Sequence, residues 1–126
     1  MLKDDYCDYN TCVALKELGY VGSSRYYYTQ RDHKFHYDAY NKFYTVRTAD
    51  AMGYVLAIHL YDAQKWLREE KHLHITIYSQ SQESWQYRIT KPHQKLEDGL
   101  HGEDFSSFEE ALSEGIKEAV KILKNQ

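Results

Sequence analysis

Two alternating runs constrain this chain more than any other feature. In 73–78, Leu73, Ile75 and Ile77 alternate with His74, Thr76 and Tyr78; in 85–90, Trp85, Tyr87 and Ile89 alternate with Gln86, Arg88 and Thr90. A period of two places each apolar set on one face of an extended strand. The polar stretch 79–84 joins them, which predicts an antiparallel hairpin with one face to bury. Pro92 ends it, because proline has no N–H for the ladder.

The last segment supplies a cover for that face. Ser107-x-x-Glu110 reads as a capping box, and Phe108, Ala111, Leu112, Gly115, Ala119, Val120 and Leu123 form a helical stripe. Glycine inside a helix costs about 1 kcal/mol relative to alanine. Gly115 within the stripe therefore points to a close approach of this helix to the sheet. A second helix is expected over 60–71, with Ala63, Trp66 and Leu67 on its apolar side. Before it, 54–58 reads equally as a buried strand or as the opening of that helix, since a short apolar run has no decisive period. The loop 93–104, with Gly99 and Gly102, is long enough to be flexible or functional.

The N-terminal part is of another kind. A short helix is expected over 11–18, capped by Asn10 or Thr11 and left through Gly19. Residues 20–50 read as strands and turns, with ring-rich runs at 25–29, 35–37 and 42–47 separated by polar breaks. Three consecutive tyrosines, Tyr26, Tyr27 and Tyr28, put rings on both faces of any extended run. The fold class is thus α+β: a small antiparallel sheet packed by two helices, with a Tyr-rich N-terminal β region and a short N-terminal helix. At 126 residues a single domain is expected over 1–126. Within it, 1–50 holds the first helix and the Tyr-rich strands, and 54–124 forms a strand–helix–hairpin–helix unit.

Composition narrows the function. The chain has only 11 leucines, six isoleucines and five valines but 13 tyrosines. Tyrosine buries a large ring yet seeks a partner for its hydroxyl, so it suits half-wet surfaces and interfaces. Such a chain either carries a broad contact surface or builds its core from rings whose hydroxyls reach water. The net charge of −3 argues against a long nucleic acid as partner. The distribution is uneven: 25–47 holds Arg25, Arg31, Lys34, Lys42 and Arg47 against Asp32 and Asp38, while 97–118 holds eight carboxylates against Lys117. The acidic stretch reads as the solvated side of the last helix, its sharper alternative being a charge mimic of nucleic acid.

Catalytic and metal motifs are missing from the sequence. No Gly-x-Ser-x-Gly, Ser-x-x-Lys, His-Glu-x-x-His or phosphate loop occurs. His33, His36, His72 and His74 have no zinc-ligand spacing with Cys7 or Cys12, and those cysteines form no Cys-x-x-Cys pair. The expectation is a non-enzyme without metal or cofactor. No basic n-region precedes an apolar stretch at the N-terminus, and 52–58 is too short to span a bilayer, so the expected place is the cytoplasm, with reduced thiols.

The basic aromatic segment is the leading candidate for a site: Arg25, Tyr26, Tyr28, Arg31, Tyr37, Tyr40, Lys42, Tyr44 and Arg47. Rings stack on nucleobases and guanidinium forks grip phosphates. A nucleotide-like ligand with one or two charges needs only a couple of cations. The same Tyr and Arg enrichment makes a protein–protein hot spot, and the plain alternative is a core of rings with solvated charges between them. An exposed ring patch would also suit a homo-oligomer.

Three blocks carry a resemblance. Tyr61-Asp62-Ala63-Gln64-Lys65-Trp66-Leu67-Arg68-Glu69-Glu70, the segment from Phe108-Glu109-Glu110-Ala111-Leu112 through Gly115-Ile116-Lys117-Glu118-Ala119-Val120-Lys121-Ile122, and the Leu15-to-Gly19 piece match a pattern in order, over about half of the chain. Through them the chain resembles a family of small proteins, of no agreed activity, encoded by gut anaerobic bacteria, their prophages and mobile elements. The chain departs at Ile58-His59, where the family tends to have Pro-Thr, a better helix cap. The resemblance implies a phage or prophage context and no chemistry. Joined to the basic aromatic segment, it leads to the expectation of an anti-defence protein that sequesters a small anionic nucleotide-like ligand. The alternatives are a protein–protein inhibitor of a host defence enzyme and a nucleic-acid-binding accessory protein.

Overall fold

The computed structural model describes residues 2–38, 40, 42–92, 94–97 and 104–126. The fold is α+β, built from helices and small antiparallel sheets, and it divides into two compact units, Met1–His59 and Leu60–Gln126.

In the first unit, a 3-10 turn over Leu2–Asp5 leads into α1 (Tyr9–Glu17). α1 begins two residues before the expected start because Asp8 caps it, accepting the Thr11 N–H at 2.8 Å. Gly19, at φ 104°, takes the left-handed exit the sequence predicts. Then come β1 (Ser23–Ser24), β2 (Tyr26–Thr29), β3 (Phe35–Tyr37) and β4 (Tyr44–Thr45). The run 42–47 was expected to be strand throughout, but only Tyr44 and Thr45 are. At Val46 the chain turns into α2 (Val46–Ala51), because Thr45 and Thr48 cap each other's backbone reciprocally. A threonine in place of the usual Glu or Gln at the third position hid that capping box.

The ambiguous run resolves as a strand, β5 (Tyr54–Leu56), and β2 lies at the centre of the sheet β3-β2-β5. β5 belongs with the first unit and not with the C-terminal elements, since it pairs with β2 in the register Tyr27↔Leu56 and Tyr28↔Val55. β1 and β4 form a separate two-stranded ladder.

In the second unit, α3 (Leu60–Lys71) has the expected bounds, with Ala63 and Leu67 buried and Trp66 half-buried. His72 follows in the left-handed region at φ 58°, where the chain reverses and the Leu73 N–H returns to the Leu67 carbonyl at 3.0 Å. The hairpin is β6 (His74–Ser81) and β7 (Ser84–Lys91), longer than the two alternating runs, with Ile75 opposite Ile89 and Ile77 opposite Tyr87. Leu73, Ile75, Tyr87 and Ile89 are buried and His74, Thr76 and Arg88 exposed, as the alternation requires; Gln86 is the exception, buried on the polar parity. Of the expected loop 93–104, Gln94–Glu97 is instead a third strand, β8, antiparallel to β7. Residues 93 and 98–103, which carry the two glycines of that loop, lie outside the described residues.

α4 (Phe108–Lys124) packs on β6, β7 and α3 through Ala111, Leu112, Gly115, Ile116, Ala119 and Val120. Its capping box is half formed. Ser107 accepts the Glu110 N–H at 3.1 Å, but the Glu110 carboxylate accepts the Ser106 hydroxyl. Gly115 sits where a Cβ would meet Ile75 Cγ2 at 2.9 Å and Tyr87 Cβ at 3.2 Å. No helix among the described residues is long and apolar enough to cross a membrane.

Gly115→Leu should cost about 1–3 kcal/mol by overpacking this contact, read as a drop in thermal melting. An unchanged melting temperature would refute the close approach. Tyr28 is 2% exposed and its hydroxyl donates to the Cys7 carbonyl at 2.6 Å. Tyr28→Phe should cost about 1–2 kcal/mol in denaturant unfolding through loss of that buried bond.

Candidate ligand-binding surface

Cross-strand register sorts the tyrosines of the first unit by face. Residues directly opposite each other point the same way. Tyr26, Tyr28, Phe35, Tyr37 and Val55 therefore share one face of β3-β2-β5, and Tyr27, His36, Tyr54 and Leu56 share the other.

The first face is mostly interior. Tyr26 stacks on Phe35 with ring centroids 5.5 Å apart, and Tyr6 tilts against both. Tyr9 meets the Tyr28 edge and stacks flat on His33, at 3.6 Å and 11°. Burial and the neighbouring Cys12, Cys7 and Asp8 push the Tyr28 hydroxyl well above the usual tyrosine range.

The second face carries a stack that runs outward. Tyr54 and Tyr27 lie 4.0 Å apart at 16°, and Tyr27 and His36 lie 5.5 Å apart at 21°. Tyr44, buried on β4, closes the stack from the side with its edge toward both Tyr27 and Tyr54. The Lys42 ammonium sits 5.3 Å from the Tyr44 ring centre. Tyr27 and Tyr54 are half-buried and His36 is exposed, so the stack ends in solvent. Burial, with a hydrogen bond to Tyr54, pushes Tyr27 up to about 12.

The nine sequence-selected residues consequently do not form one site. Tyr28 and Tyr44 are core, and Tyr26 is half-buried against Phe35. Arg25 donates to the Asp38 carbonyl at 3.4 Å and holds the chain after β3. Arg31 lies on the turn between β2 and β3, at the far end of that hairpin from Tyr37. Arg47 is on α2, beside a groove bordered by β1. What remains exposed is the end of β3 and the chain that follows: Tyr37 is 61% exposed, Tyr40 91% and Phe43 62%, with Lys42 exposed before Phe43. Neither the Lys42 ammonium nor the Arg47 guanidinium is ion-paired among the described residues, although the Lys42 backbone N–H donates to the Asp38 carboxylate.

Sequence reasoning passed over Tyr27, His36 and Tyr54. The available signal was parity: Tyr27 is the one tyrosine of its triplet that must face away from Tyr26 and Tyr28. Among the described residues, no three His, Cys, Asp or Glu side chains are grouped so as to hold a metal ion. Cys7 and Cys12 are both buried, and hydrogen bonding to Cys12 together with burial raises the Cys7 thiol well above its ordinary value, which favours the protonated thiol. No protein-family model, curated protein or solved structure matches the chain.

A tyrosine whose pKa is higher folded than unfolded favours the fold fully below pH 10, and that contribution is lost as pH rises through the folded value. Stability should therefore fall between about pH 10 and 12. Tyr27→Phe should flatten part of that fall in pH-dependent urea unfolding, and an identical profile would show that Tyr27 is not shifted.

Proposed function

We propose that the chain is a non-catalytic binding protein of the phage or prophage kind, which captures a small anionic, nucleotide-like ligand on the outer end of the His36–Tyr27–Tyr54 stack. One observation carries the reading: a rail of stacked rings ends at an exposed imidazole, with the Lys42 ammonium at the side of the same cluster. A planar base extends the stack, and base–aromatic stacking contributes about 1–3 kcal/mol. Lys42 supplies the charge for a phosphate, and exposed Tyr40, two residues before it, supplies a further ring face and hydroxyl, while Tyr37 lies on the other face of the sheet. Among the described residues a single cation, Lys42, lies over these rings, which suits a ligand of low charge and not the continuous basic track of a long nucleic acid. In the cytoplasm of an infected host, such capture would silence a nucleotide immune signal. The mobile-element resemblance supports that setting.

A second reading has its own observation. Val21, Tyr40, Phe43 and Met52 are 76%, 91%, 62% and 53% exposed, large apolar side chains open to a partner. A protein partner, such as a host defence enzyme inhibited by docking, would cover it.

Native mass spectrometry of protein purified gently from host-like lysate, followed by titration with adenine and guanine mono- and dinucleotides, tests the first reading. The expected result is a bound small mass with nucleobase absorbance. His36→Ala and Lys42→Ala should each weaken nucleotide binding about tenfold or more without lowering the melting temperature. If no nucleotide binds at millimolar concentration, the first reading falls; a stoichiometric polypeptide in its place supports the second.

A further inference from the structure

The first unit has a groove of about 620 Å³ away from the tyrosine stack, between the chain around β1 and the start of α2. That volume lies within the range of small-molecule sites. Val21, Gly22 and Val46 give it an apolar lining. Gly22 lies so close over the buried Tyr20 ring that a Cβ there would meet the Tyr20 hydroxyl at 2.6 Å, so a larger residue would be forced away from that ring. Ser23 and Thr45, paired across the β1–β4 ladder, bring two hydroxyls to the wall. The Thr45 hydroxyl is engaged with Thr48 in the α2 cap.

Two charged side chains border the groove, both from α2. Arg47 and Asp50 are three residues apart, a spacing at which they would ordinarily pair. They do not. Asp50 is taken by Lys16 of α1, whose ammonium lies 2.9 Å from its carboxylate. Arg47 has no carboxylate partner among the described residues. Lys16 thus neutralises the one anion of the groove and leaves one uncompensated guanidinium beside an apolar wall.

We propose that this groove binds a small amphipathic monocarboxylate, its carboxylate held by Arg47 and its hydrocarbon portion laid along Val21, Gly22 and Val46. The guanidinium fork matches a carboxylate through two parallel hydrogen bonds. A single cation suits one negative charge, and the apolar lining repays a hydrocarbon tail rather than a polar body. Asp50 would attract a cationic amphiphile, but Lys16 holds its carboxylate, so the sign preference comes from Arg47. The inference does not depend on the nucleotide reading, which uses the opposite side of β4 and no residue of this groove.

The test is titration of the full chain with octanoate, octan-1-ol and octylammonium, followed by amide chemical shifts. Octanoate should give saturable shifts concentrated at 21–23 and 45–50, with octanol at least tenfold weaker and octylammonium weaker still. Arg47→Gln should reduce octanoate binding to the octanol level with melting unchanged, since Arg47 is exposed. Lys16→Ala, which frees the Asp50 carboxylate to turn on Arg47, should weaken octanoate several-fold. Shifts that do not saturate, shifts centred elsewhere, or octanoate affinity unchanged in Arg47→Gln would each overturn the proposal.

Discussion

Three consecutive tyrosines on the central strand β2 force large rings onto both faces of a three-stranded sheet, and the rest of the first unit is arranged around closing both. On one face the closure includes a hydrogen bond: the Tyr28 hydroxyl, with almost no access to water, reaches the Cys7 carbonyl just before α1. That bond lets a polar ring serve as core, because the hydroxyl is satisfied where no water can reach it. It also ties the chain before α1 to the middle of β2. On the other face Tyr27 is closed chiefly by rings, Tyr54 stacked on it and Tyr44 edge-on from β4.

The two units solve the same burial problem with different materials. The second uses aliphatic side chains at strict alternation and a helix brought close by Gly115, which leaves no room for a Cβ against Ile75 and Tyr87. The first has few aliphatic residues and fills its volume with rings, which meet at offsets and edges. Ring packing of that kind runs out at the sheet margin, where His36, Tyr37 and Tyr40 are left facing water. The surface proposed to bind a ligand is continuous with the device that holds the sheet together.

Charge placement separates the first unit into two chemically different regions. Arg25 is committed to the backbone at Asp38, and Lys16 to Asp50. Lys42 is left beside the rings and Arg47 beside the groove, while Arg31 and Lys34 lie on the exposed chain between β2 and β3. A basic count over 25–47 treats these side chains as equivalent, but their availability differs with the partner each one meets.

Local pattern alone determined the elements whose order is written in adjacent residues. The alternation of 73–78 and 85–90, the stripe of α4, the bounds of α3 and the left-handed Gly19 were all legible, because period and backbone sterics act over a few residues. The strand at 94–97, the cap that starts α2 at Val46 and the placement of β5 beside β2 were not, since each depends on a partner distant in sequence or on an unusual capping residue. The same holds for the site. The sequence specified that rings and cations are concentrated between 25 and 47. Only the tertiary structure decided that Tyr28 is core, that Tyr27 joins His36 and Tyr54 on the open face, and that Arg47 is free because Lys16 takes Asp50. Strand parity and ion pairing across more than thirty residues assign each side chain its environment, and neither is a property of composition.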